Sequence, residues 1–177
     1  YMTLPLYHST GLILGWAASL RSGCPNVIKS KFSASDFWND VKKYNVNKFI
    51  YVGELCRYLM NLPTSDGDRD NPITQISGNG LRPDIWESFQ KRFNIKKIVE
   101  IYGATEAVGM TINSFGRSGM IGRKRSDSTI IHCNKDDGSP LLNSEGFCTK
   151  VSEGETGLYI QKISSSAKFQ GYLDAQA

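Results

Sequence analysis

Short apolar segments that end at a turn and run straight into a helical pattern recur through the first 110 residues, and this order limits the fold more than anything else in the chain. Lys48 to Val52 (KFIYV) reads as a strand, followed by a helix from Glu54 to Leu62 that Pro63 ends. Ile73 to Ser77 reads as a buried strand that runs into Gly78-Asn79-Gly80, and Pro83 then suits a first helical turn. Ile85, Trp86, Phe89, Arg92 and Phe93 follow at helical spacing, and Lys97 to Tyr102 (KIVEIY) is the next strand. Repeated strand–loop–helix order implies an α/β fold, a mixed and largely parallel sheet flanked by helices.

Other segments extend this picture. Thr10 to Leu20 predicts an apolar helix stopped by Gly23, and Asn26 to Ser30 a short strand. Ser33-Ala34-Ser35-Asp36 predicts a helix cap in which the serine hydroxyl accepts from a backbone amide. The helix beyond it places Phe37, Trp38, Val41 and Tyr44 on one face. After about Met110 the character changes: Thr129 to Ile131, Phe147 to Val151 and Leu158 to Ile163 predict strands separated by Gly, Asp, Asn and Ser turns. The expected division is an α/β part over 1–110 and a smaller β-rich subdomain over 111–177.

Composition removes several functions. A hydrophobic share of 40% and a charged share of 21% are those of a globular chain. No apolar run approaches the ~20 residues that span a bilayer, and no signal segment opens the sequence. The Leu12 to Leu20 stretch lacks the Lys/Arg-rich polar face of an interfacial helix, so a buried helix is expected there. Cys24, Cys56, Cys133 and Cys148 form no CxxC pair and have no histidine at ligand spacing, which argues against zinc or a disulfide framework and suits a reducing, intracellular setting. The net charge of +4 is mild, and the basic clusters Lys91-Arg92, Lys96-Lys97 and Arg123-Lys124-Arg125 lack interleaved aromatics, so no nucleic-acid partner is expected. The sequence opens at Tyr1 rather than at a methionine, and reads as an internal stretch of a longer polypeptide.

Three segments carry chemistry. Tyr102-Gly103-Ala104-Thr105-Glu106 directly follows a strand, where α/β sheets bind ligands. Tyr102 offers a flat ring for a base, the Thr105 hydroxyl a donor for phosphate, and Glu106 an oxygen ligand suited to Mg²⁺. By itself the pattern also describes an ordinary turn with Glu106 in solvent. Gly78-Asn79-Gly80 gives a backbone that can lie flat against a planar ligand, or simply a tight turn. Leu4-Pro5-Leu6-Tyr7-His8-Ser9 places His8 between an extended segment and a helix, where it can project into a cleft or serve as a hydrogen-bonded structural residue. No GxSxG elbow surrounds Ser9, and neither GxxxxGK[ST] nor GxGxxG occurs.

Taken in order, these segments resemble the adenylate-forming (AMP-binding) superfamily, whose hallmark includes the tyrosine–glycine–x–threonine–glutamate pentad. Leu4 to Ser9 with Gly11, Lys31-Phe32-Ser33-Ala34-Ser35 with Phe37-Trp38, Tyr51 to Leu59, Gly78 to Arg82 and Phe169 to Leu173 resemble one branch of it, the very-long-chain acyl-CoA synthetase and fatty acid transport protein family. The resemblance implies an acid–thiol ligase that joins a fatty acid to coenzyme A through an acyl-adenylate, using ATP and Mg²⁺ and releasing AMP and diphosphate. It implies nucleotide contacts at Gly78, Asn79, Gly80, Tyr102, Gly103, Ala104 and Thr105, metal binding at Glu106, catalytic roles for Thr105, Glu106 and His8, and substrate contacts at His8, Gly53 and Glu54. It also implies that the superfamily's phosphate loop lies upstream of Tyr1 and its mobile C-terminal domain beyond Ala177, so that this stretch alone is inactive. Membrane association of the parent protein, at the endoplasmic reticulum, peroxisome, plasma membrane or bacterial inner membrane, is implied as well. Two other functions stay open: a non-catalytic module for fatty acid uptake or binding, and a ligase for another carboxylate, such as a bile acid or a carnitine-like acid.

Overall fold

A computed structural model describes residues 1–104, 109–163, 169, 171 and 172. The chain forms two units, one of Tyr1–Tyr102 with Ile112–Gly122 and one of Gly103–Thr111 with Arg123–Ala177. The first holds strands β1 (Lys48–Val52), β2 (Gln75–Asn79) and β3 (Lys97–Tyr102). They are parallel, and the sheet runs in the order β1-β2-β3-β4, where β4 is Thr111–Asn113. Parallel neighbours need crossovers, and α3 (Gly53–Met60) and α4 (Pro83–Arg92) supply them. Upstream, a π-helical segment, Thr10–Ala17, continues into α1 (Ala18–Ser22), and α2 (Ala34–Lys43) precedes β1.

The register explains the core. Phe49, Ile76 and Ile98 lie side by side in one row of the sheet, all at 1% exposure or less. Phe37 and Val41 of α2, Leu55 and Leu59 of α3, and Trp86 and Phe89 of α4 close over the buried sheet residues. Each such large side chain contributes about 1.5–3 kcal/mol on leaving water. The aromatic members meet at preferred geometries, with Phe37 4.7 Å from Phe49 edge-on and Trp38 4.6 Å from Phe93. Arg92 donates to Asp68 and to the carbonyls of Met60, Leu62 and Pro63, pinning α4 to the chain that leaves α3. Asn45 and Asn94 stop α2 and α4 in the left-handed region, at φ of 49° and 53°.

In the second unit β5 (Ser128–Ile131) pairs antiparallel with β6 (Leu158–Gln161). No helix among the described residues is long and apolar enough to cross a membrane.

Several expected elements differ. The strand at Ile73 to Ser77 runs instead over Gln75–Asn79, because the Thr74 amide bonds the Asn47 carbonyl before the ladder begins. A shift of two keeps the same side chains inward but carries Gly78 and Asn79 into the strand. Asn26 to Ser30 makes only a bridge from Ile28 to Met2, since Met2 alone extends far enough to lie between Val27 and Lys29. Phe147 to Val151 is reduced to the bridges at Cys148 and Lys150, and Asn143 Oδ1 draws the Glu145 and Phe147 amides into a turn instead. The Ser33 hydroxyl donates to the Asp36 carboxylate rather than accepting from a backbone amide. Tyr44 falls at the C-cap of α2 and is exposed. The Thr10–Ala17 segment is not buried as a cylinder. It seats Gly11 against the Pro5 carbonyl and Gly15 against the Met2 side chain, leaving Leu12, Ile13 and Trp16 outward. Gly23, at φ 65°, ends α1 as expected.

Candidate functional site

Strands β1, β2 and β3 share a direction, so they release the chain at one carboxyl edge, the edge at which α/β sheets collect ligands. From β1 the chain turns at once into α3 through Gly53, and from β2 it leaves through Gly80. A Cβ on Gly53 would fall on the Gly80 carbonyl oxygen, so the start of α3 and the β2 exit approach as only glycine permits. Gly80 itself has a φ of +78°. From β3 the chain leaves at Tyr102, whose side chain is half exposed.

One row below this edge, Tyr51, Gly78 and Glu100 stand side by side across the three strands. With no side chain on Gly78, the Tyr51 ring crosses the middle strand and its hydroxyl donates to Glu100 Oε2. Glu100 Oε1 accepts from the amides of Gly80 and Leu81, the latter at 3.2 Å. Burial raises the pKa of the Glu100 carboxyl, and these three donors draw it partly back. The Tyr51 phenol and the neighbouring Cys56 thiol are both pushed up, first by burial and then by the Glu100 charge. They stay protonated at neutral pH.

A second chain of bonds reaches the same turn from the N-terminal segment. Thr10 Oγ1 donates to Asn79 Oδ1 at 3.2 Å, and the Thr10 amide donates to His8 Nδ1 at 3.2 Å. A neutral imidazole that accepts at Nδ1 carries its proton on Nε2, so His8 offers a donor from an exposed position.

Among the residues singled out from the sequence, Gly53, Gly78, Asn79, Gly80 and His8 are thus joined by contact or hydrogen bond, directly or through Thr10. Tyr102 stands at the end of the adjacent strand, with Gly103 and Ala104 exposed beyond it. Glu54 is exposed and is engaged along α3 by Arg57, whose Nη2 lies 2.6 Å from Oε2 and whose guanidinium lowers the carboxyl pKa. Thr105 and Glu106 lie outside the described residues. No group of three or more His, Cys, Asp or Glu that could hold a metal occurs among the described residues. Sequence reading passed over Tyr51, Glu100 and Thr10. The available signal was Glu100 itself, a charge in the KIVEIY strand at the position that alternates inward with Ile98.

Residues 1–146 match the protein family described as AMP-binding enzyme. Long-chain fatty acid transport protein 6 of Mus musculus is 42% identical over 97% of this chain, which covers 29% of that protein. The chain therefore spans less than a third of that relative's length. The fold is that of ATP-bound MatB from Rhodopseudomonas palustris, with a TM-score of 0.70 at 18% identity over 98% of this chain and 33% of that one. It is also that of the o-succinylbenzoate coenzyme A synthetase MenE from Bacillus subtilis, in complex with ATP and magnesium ion, with a TM-score of 0.60 at 18% identity over 89% of this chain and 31% of that one.

Proposed function

We propose, because the chain belongs to the AMP-binding enzyme family, that it is the nucleotide-binding part of an ATP-dependent fatty acyl-CoA ligase. The observation that carries this reading is the shared exit of Tyr102 and of Gly78-Asn79-Gly80 from neighbouring parallel strands. A half-exposed ring and a turn whose close approach tolerates no Cβ suit a flat, phosphate-bearing ligand. The long-chain fatty acid transport protein above supplies the substrate class. Its name also supports membrane association of the parent protein.

In this reading a carboxylate oxygen attacks the α-phosphorus of ATP, the bond to the β-phosphate oxygen breaks, and diphosphate leaves. The thiol sulfur of coenzyme A, losing its proton, then attacks the acyl carbon and AMP departs. Such steps depend on positioning more than on a protein nucleophile. Tyr102 stacks on the adenine, and the turn flanks the base at the acyl entrance. Gly103 and Ala104 let the nucleotide approach the backbone, and Thr105 binds the α-phosphate. His8, donating from Nε2, orients the attacking carboxylate. Gly53 borders the acyl path, with Glu54 at its outer end. Glu106 is the residue suited to Mg²⁺, which supplies charge neutralisation at the phosphate, and this assignment rests on the motif.

The test is acyl-CoA and AMP formation by the full-length protein from palmitate, ATP and coenzyme A, set against Glu106→Ala. A loss of about 10²–10³-fold in turnover with fatty acid retention intact is expected. Unchanged thioester formation would overturn the ligase reading. It would favour a fatty acid uptake or binding module, which the outward Leu12, Ile13 and Trp16 also suit. Preference for a bile acid or a carnitine-like acid over palmitate would reassign the substrate alone.

A further inference from the structure

One buried carboxylate has no part in the reaction above. Glu100 is 6% exposed, and no cation among the described residues pairs with it. A charge in that position is costly unless donors surround it, and here they come from both sides. The Tyr51 hydroxyl reaches one oxygen across the gap at Gly78, while the Gly80 and Leu81 amides meet the other. Those two amides belong to the turn that leaves β2. Strand pairing ends at Asn79, so nothing in the ladder would otherwise satisfy them.

We infer that Glu100 is the positioning residue of the nucleotide site, holding the Gly78-Asn79-Gly80 turn in its binding shape through the Gly80 and Leu81 amides. This rests on the nucleotide reading of that turn. On one side the Gly53 backbone abuts the Gly80 carbonyl, and on the other the Leu81 side chain is buried. The carboxylate fixes the amide edge between them. With both neighbours of the turn fixed and its amides bonded inward, only one shape of Gly80 fits, the left-handed one. Tyr51 in turn fixes the carboxylate, so the row Tyr51–Gly78–Glu100 transmits the order of three strands to a single turn. Glu100 touches no ligand in this scheme. It acts through the backbone.

A merely structural glutamate and a positioning one differ in what they change. The full-length protein is compared with Glu100→Ala, Glu100→Gln and Tyr51→Phe, reading the KM for ATP, the KM for palmitate, kcat, and hydrogen exchange at the Gly80 and Leu81 amides. Glu100→Ala should raise the ATP KM about tenfold or more and leave the palmitate KM unchanged, with faster exchange at both amides. Glu100→Gln should recover most of the ATP KM, because its amide oxygen can accept from both backbone groups while its NH₂ faces the Tyr51 oxygen. Tyr51→Phe, which leaves both amides bonded, should raise the ATP KM only about two- to threefold. If Glu100→Ala does not fold, Tyr51→Phe decides the matter on the same readouts, by its two- to threefold rise in ATP KM at unchanged palmitate KM. An ATP KM unmoved in Glu100→Ala and in Tyr51→Phe, or equal changes in both KM values, overturns the positioning role while the ligase reading stands. Failure of the unsubstituted protein to bind ATP sinks the nucleotide reading, and this inference with it.

Discussion

At the scale of single residues, the glycines and the buried acid dominate. Gly78 sits beneath the Tyr51 ring, with Tyr51 Cδ1 2.9 Å from where a Cβ would be. Gly78→Ala must therefore displace the ring or part β1 from β2, and should cost about 3 kcal/mol in urea unfolding by overpacking and the lost Tyr51–Glu100 bond. A variant as stable as the parent would show that the row is not tightly packed. Glu100 gives a prediction in pH. Burial raises its folded pKa above the unfolded value of about 4.3, so folding takes up a proton between the two. Its contribution to stability is full below pH about 4.3 and is lost as pH climbs through the raised folded value. In Glu100→Gln that fall should vanish, which a series of urea midpoints from pH 4 upward would read. Of these residues only Gly78 was legible as a site candidate, because a GNG pattern is visible without coordinates. Glu100 looked like one polar letter in an apolar strand, and its partners lie 49 and 20 positions away.

At the scale of elements, alternation and capping letters were enough to locate β1, α3, α4 and β3 to within a few residues. Those elements bury a regular face, and periodicity reports a face. Where a single contact holds the chain, the strand pattern over-read the extent: the Ile28 bridge depends on Met2, and the Cys148 bridge on Leu142. The outward face of Thr10–Ala17 was misread for a related reason. Apolar letters predicted burial, whereas two glycines make the packing contact. Two predictions belong here. Asn45 ends α2 at φ 49°, so Asn45→Ala should lower the thermal midpoint by a cost of about 1 kcal/mol, and Asn45→Gly should be close to neutral. Arg92, with a side-chain exposure of 12%, joins α4 to Asp68 and to three carbonyls, that of Met60 at the end of α3 and those of Leu62 and Pro63 beyond it. Arg92→Ala should destabilise by about 3 kcal/mol, and Arg92→Lys should recover only part of it, because an ammonium cannot reproduce the guanidinium fork. Full recovery by lysine in calorimetry would mean that charge alone matters there.

At the scale of the whole molecule, order along the chain was readable and depth was not. The strand–loop–helix succession announced a parallel sheet, and the shared carboxyl edge followed from that topology. Which side chains meet beneath the edge depends on register, and a register places Tyr51, Gly78 and Glu100 together although no local pattern links them. The contact between Gly53 and Gly80 has a consequence for the protein as a thermal object. Since α3 begins on the very turn proposed to face the nucleotide, and its Leu55 and Leu59 are rooted in the core, a nucleotide bound there cannot rest on one without bracing the other. Occupancy should then read out as resistance to heat. With ATP at a hundred times its dissociation constant the folded form gains about 2.7 kcal/mol, and the α3 amides should slow in exchange along with those of the turn, as if the ligand were a peg driven through two boards.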